Sequence, residues 1–165
     1  MKVVGKQTNS KNCIICGMEN EFGVKAPFYN MEDGSVATIF KYDFLHQSYP
    51  GRVHGGMITS MLDELIGRVL WISEPNVYAV TTSLEVKFRK PVPYNKEIKG
   101  RAVMITNTPR YFVAHGKILD MEGNVLAEAE GKYLKLSPEK IANGDISVEE
   151  EMCYNIKDDV TEIDF

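Results

Sequence analysis

The sequence predicts an α+β domain in which a curved five-stranded antiparallel sheet wraps around one long central helix. Three observations carry this. A single strongly apolar helical stretch has only a sheet to bury itself against. One strand-like segment precedes it and four follow. Those four are joined by short connections, as antiparallel neighbours allow.

The 165 residues are 44% apolar and 25% charged, ordinary globular values. At this size folding buries about 69% of the chain's surface. A core of that extent needs neither disulfide nor metal, and the composition excludes a disordered, collagen-like or coiled-coil chain. No apolar run approaches the roughly 18 residues of a membrane helix, and Met1–Lys6 has no secretory pattern. The expectation is a cytoplasmic protein without a membrane partner. Charge is uneven. From Asp145 to Phe165 there are eight acidic residues and one basic, net −7, which leaves the body at +3. That is too weak and too mixed for a nucleic-acid footprint.

The elements follow in order. Residues 1–35 read mostly as an N-terminal loop segment, punctuated by Gly17, Asn20, Gly23, Pro27, Asn30 and Gly34. Val36–Lys41 reads as a strand. The helix begins near Gly55 and ends before Ser73. Its apolar face is Met57, Ile58, Met61, Leu62, Leu65, Ile66, Val69 and Leu70, two adjacent columns at i, i+4 spacing. Its polar columns are Ser60, Glu64, Arg68 and Thr59, Asp63, Gly67. Val77–Arg89 alternates as a strand, with Tyr78, Val80, Thr82, Leu84, Val86 and Phe88 on one face and Thr81, Ser83, Glu85 and Lys87 on the other. Glu97–Thr108, Tyr111–Met121 and Val125–Leu136 complete the sheet, the last two joined by the turn Glu122-Gly123-Asn124. Ala127, Ala129 and Gly131 form a small-residue column that lets another element approach closely. The body therefore spans 36–137, and 138–165 is an acidic tail, read as a solvated end. The alternative is a tail docked through Met152, Tyr154, Ile156 and Phe165.

Cys13-Ile14-Ile15-Cys16-Gly17 has the spacing of half a zinc knuckle, but no second pair of ligands follows at a suitable distance. With Cys153, these cysteines are read as reduced packing residues, and no metal or cofactor is expected.

Chemistry concentrates at the helix. Gly55 and Gly56 open it with no side chain over its end, so backbone N–H groups there can hold a developing oxyanion. Asp63 is a poor mid-helix residue. Its i−4 and i+4 neighbours, Thr59 and Gly67, are small. Glu64 has Arg68 at i+4 and reads as a surface ion pair. Asp63 is thus an unpaired carboxylate beside a hollow, able to activate water or attack directly. Gly55 and Asp63 lie eight residues apart, about 12 Å along the axis, too far to meet on one reacting carbon. Two antiparallel copies could pair the Gly55 end of each with Asp63 of the other, which implies a symmetric dimer.

His54-Gly55-Gly56, with Asp63 nine residues after His54, resembles the hotdog-fold acyl-CoA thioesterases of the phenylacetyl-CoA and 4-hydroxybenzoyl-CoA thioesterase-like group. The likeness covers roughly residues 12–136. It includes Val80–Leu84 through Phe88-Arg89-Lys90-Pro91, Asp120–Asn124, and the Cys13-x-x-Cys16-Gly17 opening. The resemblance implies that the Gly55 N–H polarises the thioester carbonyl and that Asp63 of the partner subunit acts as base or nucleophile. It also implies that Thr81 orients the attacking water and that His54 shapes the site. Gly56, Gln47, Ser48, Arg89 and Lys90 are the candidate substrate-binding residues, with Arg110 as a further basic group for CoA phosphates. The strand Val77–Arg89 would pair with its own copy across a two-fold, giving a homodimer or a dimer of dimers. A non-catalytic acyl-CoA sensor is one competing reading, although residues 1–35 carry no helix-turn-helix pattern. A hotdog enoyl-CoA hydratase is the other, with Asp43 and His46 as the only nearby pair and at the wrong spacing.

Overall fold

The computed structural model describes residues 1–142 and 147–165; Asp145 of the acidic tail lies outside the described residues. Seven antiparallel strands form one sheet in the order β1-β2-β3-β5-β6-β7-β4. They are β1 (Val3–Lys6), β2 (Tyr29–Met31), β3 (Val36–Lys41), β4 (Tyr78–Phe88), β5 (Glu97–Asn107), β6 (Tyr111–Leu119) and β7 (Val125–Leu136). The central helix α1 (Gly55–Gly67) packs on β3 to β7. Four short helical turns complete the described elements: a 3-10 turn at Phe44–His46, α2 (Leu70–Ser73), α3 (Pro138–Ile141) and α4 (Val148–Glu151). One long helix clasped by an antiparallel sheet is the hotdog fold.

The apolar columns of α1 behave as their spacing requires. Ile58, Met61, Leu62, Leu65 and Ile66 are buried, and Val69 and Leu70 continue the stripe beyond the helix end. There the turn tightens, with i−3 bonds from Val69 to Ile66 and from Trp71 to Arg68. The expected four-turn helix is therefore α1 followed by α2. Gly100 and Gly116 let the helix press onto the sheet. A Cβ at Gly100 would lie 2.8 Å from Leu65 Cδ2, and one at Gly116 would lie 2.7 Å from Ile66 Cγ1.

The sheet corrects the five-strand expectation in number. Residues 1–35 are not merely loop, because β1 and β2 extend the sheet beyond β3. The cause is a second, smaller core on the face away from α1. Val36 and Phe40 of β3 turn toward the helix, while Ala37 joins Tyr29, Met31 and Ile163 on the other side. Ile163 belongs to the tail, which is docked rather than solvated in its described part. Lys2 bridges Glu162 and Asn9 bridges Tyr154. Asp158 takes an ion pair from Lys6 at 2.6 Å and a hydrogen bond from the Tyr29 hydroxyl at 2.8 Å. The excess acid at this end meets basic groups of β1 and β5, including Lys99, which donates to the Asp164 carbonyl at 2.7 Å.

β4 forms one edge of the sheet. It is eleven residues long, paired on one side to β7, and mostly exposed. Its register slips between Thr81 and Ser83: Thr81 faces Tyr133, and Ser83 already faces Lys132. This bulge at Thr82 reverses the alternation. Leu84 and Val86 pack on the core beyond it, as their parity predicts, but before it Ala79 and Thr81 are the residues that turn to the helix side.

Candidate active site

Asp63 sits midway along α1, half-buried, and is not unpaired. Thr81 Oγ1 donates to its Oδ1 at 2.7 Å, and the Tyr133 hydroxyl donates to the same oxygen at 3.0 Å and to the Asp63 carbonyl at 3.1 Å. The bulge makes the first contact. An unbroken alternation would turn Thr81 outward with Ser83 and Glu85, and the extra residue at Thr82 re-aims it at the helix. The second contact depends on glycine. A Cβ at Gly131 would stand 2.6 Å from the Tyr133 ring, so only glycine admits that ring. On the helix side the ring lies over Gly67, 3.6 Å from where a Cβ would be, and it stacks on Phe112 with centroids 4.7 Å apart. The space over Gly67 is thus partly taken by an aromatic donor. Burial, and then the charge and hydrogen bond of Asp63, push the Tyr133 phenol far above its ordinary range, so it remains a donor.

At the helix start, His54 is the N-cap. Its Nδ1 accepts from the Gly56 N–H at 2.9 Å. That assigns the Nε2–H tautomer to a neutral imidazole. The Gly56 donor, expected to be free, is therefore used internally. Met57 and Ile58 donate to the His54 carbonyl. The Gly55 N–H has no partner among the described residues. It is the donor left to meet a carbonyl oxygen. Gln47 shares a hollow of about 420 Å³ with His54, Gly56 and Met57. Ser48 is outside that hollow and exposed, its backbone N–H spent on the Arg52 carbonyl at 2.8 Å. Asp43 and His46 are consumed in a capping box around the 3-10 turn Phe44–His46, which removes the hydratase pair.

Asp63 and Thr81 line a different hollow, of about 470 Å³, with Gly67, Arg68, Trp71 and Tyr133 among its walls. Within one chain the two halves of the expected site thus face separate cavities. β4 spans both. Its Thr81 touches Asp63, and its Phe88 ring lies 3.5 Å from where a Gly55 Cβ would be.

Residues 50–127 match the family model described as Thioesterase superfamily. That segment is a thioesterase superfamily domain. The acyl-coenzyme A thioesterase THEM4 of Mus musculus is 30% identical over 124 residues, covering 70% of this chain and 49% of that protein. The Bos taurus protein of the same name is 26% identical over 127 residues, covering 75% of this chain and 51% of the relative. The chain spans about half the length of these curated relatives. Among solved structures, a thioesterase superfamily protein aligns with a TM-score of 0.68 at 23% identity, covering 74% of this chain and 63% of that one. A Bacillus halodurans protein solved with CoA aligns at 0.59 and 24% identity, covering 66% and 72%.

Three further groups stand differently from expectation. Arg68 is not a surface partner of Glu64. It is 2% exposed, bound to Glu64 Oε1 through Nε at 2.8 Å, donating to Gln7 and the Thr8 carbonyl, and packed over Phe28 with its Cζ 4.1 Å from the ring centroid. Arg89 is held by Glu128 at 2.6 Å, and Lys90 lines an open cleft with Lys96, Pro91 and Pro93. Arg110 precedes β6 at the far end of the sheet, beside Lys135, so within one chain it lies apart from them. Cys13 and Cys16 line the Asp63 hollow. The hydrogen bond with the Cys16 thiol, and after it backbone N–H groups, pull the Cys13 thiol down to about 7, while that same side-chain bond, burial and the Glu64 charge push Cys16 up.

Proposed function

We propose that this protein hydrolyses acyl-CoA thioesters to free acid and CoA, at sites shared between two copies of the chain. The Gly55 N–H of one subunit, at the positive end of α1, donates to the carbonyl oxygen and stabilises it as it becomes an oxyanion. Asp63 of the partner subunit either takes a proton from the water that attacks the carbonyl carbon, or attacks that carbon itself to give a mixed anhydride that water then hydrolyses to the free acid. Thr81 and Tyr133 hold that carboxylate by one oxygen and leave the other toward the substrate. CoA departs as the thiol. Gln47 and His54 line the carbonyl side, and Arg89, Lys90 and Lys96 receive the nucleotide phosphates as charge-assisted contacts.

The observation that carries this reading is the carboxylate of Asp63 fixed by two hydroxyl donors on the helix whose free N-terminal N–H is at Gly55. The printed names of the relatives, acyl-coenzyme A thioesterase and a neighbour solved with CoA, support the substrate class. The test is release of free CoA thiol from a panel of aryl-, short-, medium- and long-chain acyl-CoAs. Turnover of at least one class, lost in Asp63→Asn, is expected. Binding of acyl-CoA without turnover of any class would make the protein a sensor instead.

A further inference from the structure

Cys13, Cys16 and Glu64 form a cluster that the proposed hydrolysis does not use. The two sulfurs and a Glu64 carboxylate oxygen lie within 4.8 Å of one another. The turn that carries the cysteines is tightly determined. Gly17 N–H closes it on the Cys13 carbonyl at 2.8 Å, and a Cβ at Gly17 would stand 2.3 Å from that same oxygen. Ile15 N–H points at Cys13 Sγ at 3.3 Å. A backbone donor aimed at sulfur favours the thiolate, the form that binds metal. Glu64 comes from α1 with one oxygen anchored by Arg68 at 2.8 Å and the other 3.8 Å from Cys13 Sγ.

We propose that Cys13, Cys16 and Glu64 bind one thiophilic divalent cation of the zinc type, whose fourth coordination position opens on the hollow that contains Asp63. The donor set selects the cation: two sulfurs exclude calcium and magnesium, which take oxygen, and suit zinc. Charge balances as well. Two thiolates, one carboxylate, a dication and the buried Arg68 guanidinium sum to zero, which is what a partly buried site requires. Zinc–sulfur bonds of about 2.3 Å ask the three donors to close by roughly 1 Å at most. Three protein donors with an open fourth position is the arrangement of a reactive zinc site rather than a closed structural one. A disulfide between the cysteines would give Glu64 no part. The spacing alone lacked a third ligand, and α1 supplies it from 48 residues along the chain.

Cobalt(II) titration of the reduced full-length protein tests this. One equivalent should produce a thiolate-to-cobalt charge-transfer band that zinc then abolishes. The band should persist in Cys153→Ser and vanish in Cys13→Ser and Cys16→Ser. In Glu64→Gln the sulfur band should remain but cobalt should bind at least tenfold more weakly. X-ray absorption of the zinc-loaded wild-type protein reads the same site without any variant and should find two sulfurs and two lighter ligands. No band at stoichiometric cobalt, a band that follows Cys153, or four sulfurs around zinc would overturn the proposal.

Discussion

Asp63 was legible because a short acid in mid-helix, flanked by Thr59 and Gly67, has no local reason to be there. Its two partners were not equally so. Thr81 came only from family likeness, since its strand parity pointed outward. Tyr133 was missed, although it follows Gly131 by one strand period and so continues the small-residue column facing the helix. Removing the carboxylate should lower kcat by roughly 10² or more, the scale of a positioned acid–base group. Asp63→Asn keeps the shape and loses the charge, and unchanged turnover in steady-state assays would remove Asp63 from the chemistry. Tyr133→Phe should cost about tenfold in kcat with the fold retained, because one donor to a charged group is lost. The Cys13 thiol gives a prediction in pH. Its thiolate fraction rises through about 7, so iodoacetamide should alkylate Cys13, in the Cys153→Ser protein, with a rate that climbs with pH and reaches half its plateau near pH 7. A midpoint at or above 8.5 would mean that the turn does not favour the thiolate.

At the scale of elements, periodicity located the start of α1 and the strands β3 to β7 within about two residues, and ran α1 and α2 together as one helix. Period-2 and period-3.6 patterns are dictated by burial on one face, and these segments have one face in the core. β1 and β2 escaped because they are short, Gly- and Asn-containing, and buried by a tail more than a hundred residues away. The bulge at Thr82 escaped for a related reason: it changes the count of residues between two faces without any Gly or Pro to mark it. Arg68 looked solvated because its partner at i−4 is acidic, and only the arrival of Phe28 and Gln7 from distant segments buries it. The close approach of helix and sheet is testable at Gly116. Gly116→Ala drives a methyl against Ile66, which is itself fixed in the core, and should destabilise by about 1–3 kcal/mol. Urea unfolding should show a lower midpoint with an unchanged slope. An unshifted midpoint would mean that the helix has room to withdraw.

For the whole molecule, the governing fact is that Gly55 and Asp63 ride on one helix about 12 Å apart, and that the hollow lined by Gly55's neighbours His54 and Gly56 is not the one lined by Asp63. The eleven-residue edge strand β4 has no strand partner on its outer side among the described residues, an arrangement that isolated proteins avoid. In the proposed dimer, pairing β4 with its copy would satisfy that edge and bring the two halves of the site together. Subunit complementation tests this central claim most directly. One chain carries Asp63→Ala. The other carries Gly55→Pro, which removes the N–H at the first helical position, where proline is tolerated. Each homodimer should be inactive. After co-refolding, about half the dimers are mixed. Each mixed dimer holds one site with both defects and one with neither, so about a quarter of all sites should regain full turnover. Mixed dimers that form, as shown by tags of different mass, yet return no activity would mean that each chain builds its own site.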